Sequence, residues 1–117
     1  MAILGELEER IMENLWQQEN PVSVRQVHES LLNQKSLAYT TVMTVLDRLA
    51  KKGVVSRERD GRAWLYRASL SRSDLVVKAM VESFTQAGEA GDEVLERFVA
   101  SLDEQQRAAV RAMAQRS

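Results

Sequence analysis

The chain has no cysteine. That excludes disulfides, thiolate metal sites and cysteine nucleophiles. It has a single histidine, His28, which by itself makes no histidine metal cluster. No run approaches the roughly 18 consecutive apolar residues of a membrane-spanning helix. The opening MAILGELEER has no basic segment followed by an apolar stretch, so it does not read as a signal peptide, and a cytoplasmic protein without membrane partners is expected. No carboxylate pair, glycine-rich phosphate loop or Ser-His-Asp set stands out. The sequence therefore predicts no enzyme, no cofactor and no metal. Met12, Met43, Met80 and Met113 need no cofactor to explain them.

What is present is the composition of one soluble globular domain with an extension. The chain has 117 residues, 44% hydrophobic and 28% charged. The net charge is only −1, but it is unevenly spread. Residues 1–19 hold one base and five acids. Residues 20–70 hold nine bases and four acids, and residues 71–117 hold six bases and eight acids. A basic middle between acidic ends is the distribution expected of a protein with a polyanionic partner.

The helical period is clear in three places. Leu4, Leu7, Ile11 and Leu15 predict a helix over 5–18, closed by Pro21, with Trp16 at the edge of its stripe, in core or interface. Ser23 and Gln26 form a capping box for a second helix carrying Val24, Val27, Leu31 and Leu32, ending near Gln34. His28 lies at its surface or boundary. The stretch KSLA is a tight connection to a third helix, YTTVMTVLDRLAKKG, which stops at Gly53 in the left-handed C′ position. Val42, Val45, Leu46 and Leu49 form its core stripe. Thr40, Thr44, Asp47 and Lys51 point the other way, flanked by Thr41, Met43 and Arg48.

Beyond Gly53 the period changes to two. Two β-rich runs surround Asp60-Gly61, a hairpin signal. With those two residues as the loop, Arg59 pairs with Arg62, Arg57 with Trp64 and Val55 with Tyr66. Arg57, Arg59, Arg62, Trp64 and Tyr66 then share one face, and Trp64 packs the hairpin onto the body under Arg57. Three more helices follow. Ser71 and Asp74 cap one over 72–86. AGEAGD interrupts, a short helix runs over 92–100, and Ser101 with Glu104 caps the last, to about Gln115.

Three helices followed by a hairpin form the winged helix-turn-helix pattern, whose second motif helix enters the major groove. The expected fold is mainly α with a small β-hairpin wing and C-terminal dimerisation helices. Residues 1–70 would be the DNA-binding domain and 71–117 the dimerisation region. A threonine methyl can touch a thymine methyl, and arginine can fork onto guanine or hold a phosphate. Taken alone, a threonine row also fits a solvated face, and arginines protect an edge strand. A protein-interaction module without DNA binding is the alternative; Thr40 and Thr44 beside Arg48 and Lys51 suit phosphates better than a protein groove. The apolar Val76, Met80, Phe84, Leu95, Phe98, Val99, Leu102, Val110 and Met113 are more than these helices can bury alone, so a symmetric partner is expected to cover them.

The segments LGELEERIMENLW, SVRQVHESL, AYTTVMTVLDRLAKKGVV and RDGRAWLYRA, in that order and spacing, resemble the penicillinase and methicillin-resistance repressors (the BlaI/MecI type). The resemblance covers residues 4–68 and fades in the C-terminal helices. It implies a homodimer that represses transcription from inverted-repeat operators on double-stranded DNA. It implies DNA contacts from Ser23 and Arg25, from Tyr39, Thr40, Thr41, Thr44, Arg48, Lys51 and Lys52, and from Arg57, Arg59 and Arg62. It also implies dimerisation through the C-terminal helices. A copper-responsive branch of that family carries a cysteine cluster, absent here. The antibiotic-responsive branch is cut by a sensor protease at an Asn-Phe bond, for which this chain has Arg97-Phe98.

Overall fold

A computed structural model describes residues 4–31 and 37–117. Helix α1 spans Glu6–Trp16, strand β1 Val22–Ser23, α2 Val24–Leu31 and α3 Tyr39–Lys51. Strands β2, Val55–Asp60, and β3, Ala63–Ala68, follow. Then come α4, Arg72–Thr85, a 3₁₀ turn at Gly88–Ala90, α5, Gly91–Ser101, and α6, Glu104–Arg116. The chain divides into two compact units, Met1–Val77 and Lys78–Ser117. The expected end of the second helix near Gln34, Leu32 in its stripe and the Lys35-Ser36 part of the tight connection lie outside the described residues.

The first unit is a winged helix. Its core comes from all three helices: Ile11, Met12 and Leu15 of α1, Val24, Val27 and Leu31 of α2, and Val42, Val45, Leu46 and Leu49 of α3. Of the stripe expected for α1, Leu4 and Leu7 are only half-buried, and Met12, not expected there, is fully buried. Val22, Val54, Val55, Tyr66 and Leu75 complete the core. Local chemistry sets the boundaries. The Gln26 amide donates to Ser23 Oγ at 3.2 Å, and the Ser23 amide donates to Gln26 Oε1 at 2.8 Å, closing the capping box. At the end of α3, Val54 N–H reaches the Leu49 carbonyl at 3.0 Å and Gly53 N–H reaches that of Ala50 at 3.1 Å. With Gly53 at φ 79°, this is a Schellman ending that turns the chain from helix into wing. The Ser71–Asp74 box opens α4 as the sequence predicts.

The sheet differs from expectation in two ways. It has a third strand: β1 pairs with β3, placing Val22 opposite Tyr66 and Ser23 opposite Leu65, in the order β1-β3-β2. The hairpin register is also shifted. Asp60 pairs with Ala63, Arg59 with Trp64, Arg57 with Tyr66 and Val55 with Ala68. The loop is therefore Gly61-Arg62, and Arg62 leaves the ladder. A loop of Asp60-Gly61 in the favoured type I′ form needs positive φ at both residues. With Gly61 first, the single positive φ of 63° falls on glycine, and no non-glycine among the described residues bears that strain. Since the shift is by two residues, each side chain keeps its face.

The second unit holds the helices from Lys78 onward, and none of its residues is buried. Here the expected cap of the last helix moves. Asp103, not Ser101, caps α6: the Gln106 amide donates to Asp103 Oδ1 at 2.7 Å, and the Asp103 amide donates to Gln106 Oε1 at 3.0 Å. Ser101 is still inside α5, its hydroxyl donating to the Phe98 carbonyl at 2.6 Å. The chain first becomes extended at Leu102, so the carboxylate at 103 is the first acceptor placed to meet the new helix.

Candidate nucleic-acid interface

The stripe of α3 that does not enter the core is a continuous exposed surface. Thr40, Thr41, Met43, Thr44, Arg48, Lys51 and Lys52 are all exposed, as is Tyr39 at the first turn. Thr44 Oγ1 donates back to the Thr40 carbonyl at 2.9 Å, which leaves its lone pairs facing outward. The start of this helix is steadied from α2. His28 Nε2 lies 2.7 Å from the Leu37 carbonyl, and its ring meets Tyr39 edge-on at 5.7 Å.

The wing stands beside that helix. Arg57, Arg59, Trp64 and Tyr66 share one face of the hairpin. The guanidinium of Arg57 lies 4.7 Å from the centroid of the Trp64 ring and that of Arg59 lies 4.9 Å from it, both within cation–π range. Arg57 Nη1 also donates to Asp47 Oδ1 at 3.0 Å and makes a long 3.5 Å contact with the Tyr66 hydroxyl. The Asp47 Oδ2 atom takes Lys51 Nζ at 3.0 Å. Lys51, then Arg57, hold the Asp47 carboxyl below its ordinary range by hydrogen bonding and charge.

The remaining predicted cations fall into two groups. Lys52 is tied to Glu8 of α1 at 3.2 Å, and Arg25 lies 3.9 Å from Glu29. Arg48, Arg59 and Arg62 form no ion pair among the described residues. Positive charge thus lies free at the end of the polar helix face and at the wing tip. Among the described residues no group of three or more His, Cys, Asp or Glu side chains is placed to hold a metal, and no helix is long and apolar enough to cross a membrane.

A model of the penicillinase repressor family matches residues 4–116. This chain belongs to the penicillinase repressor family. It is 50% identical over 88 residues to the transcriptional regulator BlaI of Mycobacterium tuberculosis, a match that covers 75% of this chain and 64% of that protein. The chain thus matches somewhat less than two thirds of that relative's length. Its fold resembles the solution structure of the DNA-binding domain of the repressor BlaI, with a TM-score of 0.55 and 25% identity over 61% of this chain and 85% of that one. It also resembles Bacillus licheniformis BlaI, solved as a monomeric form with the blaP half-operator, with a TM-score of 0.51, 25% identity and the same coverage.

Within this penicillinase repressor fold, sequence reasoning missed three supports of the site. β1 braces the wing through β3. Trp16 and Arg72 form a joint at the start of α4: Trp16 Nε1 donates to the Leu70 carbonyl at 2.8 Å, and Arg72 lies over the indole at 4.7 Å while pairing with Glu9 at 2.6 Å. Asp47 is the third. Its outward position was legible, but not its partner Arg57. The residues expected at a dimer interface are placed as follows. Val76, Met80, Phe84, Leu95, Phe98, Val110 and Met113 are exposed, and Val99 and Leu102 are half-buried.

Proposed function

We propose that this chain is a dimeric, sequence-specific DNA-binding repressor acting on inverted-repeat operators. Residues 1–70 bind DNA and residues 71–117 form the dimerisation region. The observation that carries this reading is the polar, exposed face of α3 set beside the arginine-rich wing. A major groove admits one helix, and a wing alongside can reach the neighbouring backbone. Thr40, Thr41 and Thr44, with Met43 and Arg48, read base edges. Arg59, Arg62, Lys51, Lys52, Arg25, Ser23 and Tyr39 meet phosphate and sugar. The relatives' descriptions as a repressor and as a complex with a half-operator support the same partner.

Dimerisation is supported by the second unit. A helical unit with none of its residues buried, and with Met80, Phe84, Leu95, Phe98 and Met113 all exposed, lacks the core that would hold its helices together. A symmetric copy supplies one. Release by a sensor protease at Arg97-Phe98 would require opening α5, where Arg97 is paired with Glu93 at 3.1 Å.

Duplexes selected from a random library test the reading, with binding followed by fluorescence anisotropy at two salt concentrations. An inverted repeat should be enriched and bind about 10³-fold or more tighter than random DNA. Thr44→Ala and Arg48→Ala should each remove about 1–3 kcal/mol from the cognate duplex in excess of any loss on random DNA. Arg59→Ala and Arg62→Ala should weaken all duplexes alike, because a phosphate contact carries no sequence information. Failure to enrich any sequence, with binding indifferent to salt, would end the reading. A monomer in equilibrium sedimentation at micromolar concentration would end its dimeric part.

A further inference from the structure

Asp47 is an acid in the middle of a surface proposed to meet a polyanion. On such a surface a free carboxylate has two uses. It can accept from cytosine N4, or it can repel the wrong backbone approach. Here, however, the carboxylate is not free: both oxygens already have cationic partners, Oδ1 with Arg57 and Oδ2 with Lys51, each at 3.0 Å. The same two contacts hold the carboxyl below its ordinary range and keep it ionised.

Arg57 is equally committed. Its side chain is only 30% exposed, its guanidinium lies against Trp64, and it reaches the hydroxyl of Tyr66, a residue only 2% exposed. Tyr66 is the cross-strand partner of Arg57 and of Val22, so it is fixed from both sides of β3. Asp47–Arg57 is the only side-chain hydrogen bond joining α3 to the hairpin among the described residues. Every other tie there is backbone, at the Gly53 turn, or apolar packing at the hairpin base. A two-stranded arm anchored at its base can tilt. A contact between Arg57, three residues from Asp60 at the end of β2, and the middle of α3 removes that freedom.

We propose that Asp47 and Arg57 form a positioning clamp that fixes the wing against the reading helix, so that both residues determine operator affinity without touching DNA. The inference rests on the DNA-binding reading. Arg59 and Arg62, which form no ion pair among the described residues, are left to meet the backbone, and the clamp sets where they do so.

The test compares Asp47→Asn, Arg57→Gln and the double variant in the full chain. Far-UV circular dichroism verifies that each is folded. With a clamp, each single variant loses cognate affinity by about tenfold, and the double variant loses the same rather than about a hundredfold, because both break one contact. Asp47→Asn binds random DNA as well as the parent or better, having lost a negative charge. Arg57→Gln keeps the parent's salt slope. If Arg57 instead holds a phosphate, its removal lowers that slope by about 0.9 and the two effects multiply, which overturns the proposal. If Asp47 reads a base, Asp47→Asn relaxes preference at one base pair and is again independent of Arg57, with the same consequence.

A DNA-free arm separates this inference from the function it rests on. The Arg57 Nε–H resonance should be shifted upfield by the Trp64 ring in the parent and move toward the random-coil position in Asp47→Asn. An unchanged resonance refutes the clamp whether or not the protein binds DNA. Absence of DNA binding by the parent, with the resonance moving as expected, refutes the function and the clamp's role in recognition while leaving the contact itself.

Discussion

Replacing Leu46 by alanine separates the scaffold of the reading helix from its surface. Leu46 is 0% exposed and belongs to the stripe of α3 opposite Thr44 and Asp47. The substitution deletes three carbons from the core, worth about 2.4 kcal/mol at ~0.8 kcal/mol per buried methylene. The space left behind adds a further cost, because Val42, Leu49 and their neighbours relax only partly; measured leucine-to-alanine losses run about 2–5 kcal/mol. A loss of about 3 kcal/mol is a large share of the 5–15 kcal/mol that holds a typical domain. Urea unfolding followed by circular dichroism should show the midpoint falling by about 2 M for a slope near 1.5 kcal/mol/M. Both proteins must be compared at one concentration, because an associating chain gains stability with concentration. In buffer, where most of the variant is still folded, operator affinity should change little, since the exposed face is intact. A loss under ~1 kcal/mol would refute the assignment of Leu46 to a close-packed core. A well-folded variant with tenfold weaker binding would refute the division between buried stripe and reading face.

Acid should destabilise the chain through three carboxyls. The Gly5 amide and then Lys52 hold Glu8 below its ordinary range, Lys51 and then Arg57 do so for Asp47, and the Ser71 amide and hydroxyl do so for Asp74. A carboxyl with a depressed folded-state pKa stabilises above its unfolded value and loses that contribution as the pH falls toward the folded one. The thermal midpoint should therefore be level from pH 7 to about 5 and decline below, less steeply in Asp74→Asn; a level midpoint down to pH 3 would contradict the contacts. Asp103→Ala should cost α6 about 1 kcal/mol by removing its N-cap, read as faster amide exchange in its first turn, whereas Ser101→Ala should leave that turn unchanged.

Features governed by near neighbours were legible in the sequence. The boxes Ser23–Gln26 and Ser71–Asp74 close over three residues, and the Gly53 ending is decided within one turn. Both follow from residue type and spacing alone. Strand β1 did not, because two residues carry no periodicity and the partner Tyr66 lies more than forty positions later. The cap of α6 was misassigned for a different reason. Ser101–Glu104 and Asp103–Gln106 both fit the spacing, and what separates them is where α5 ends. That end is at Ser101, whose hydroxyl is already bonded to Phe98.

The candidate site shows the same division. The outward row of α3 and the inward stripe are two faces of one helical period, so both could be read from spacing. The composition of the wing face survived an incorrect register, because a shift of two residues exchanges partners without exchanging faces. Arg62 did not survive it, since the turn draws the residue after Gly61 out of the ladder. Asp47 marks the limit. Its pairing with Lys51 is a four-residue helix contact and its outward direction is periodic. Its pairing with Arg57 depends on the turn at Gly53, on the hairpin register and on Tyr66 being held by β1, three features settled only in the folded chain. An acid on a binding face looks the same in sequence whether it faces the ligand or holds the wing. Only the folded register, by bringing Arg57 within 3.0 Å, favours the second.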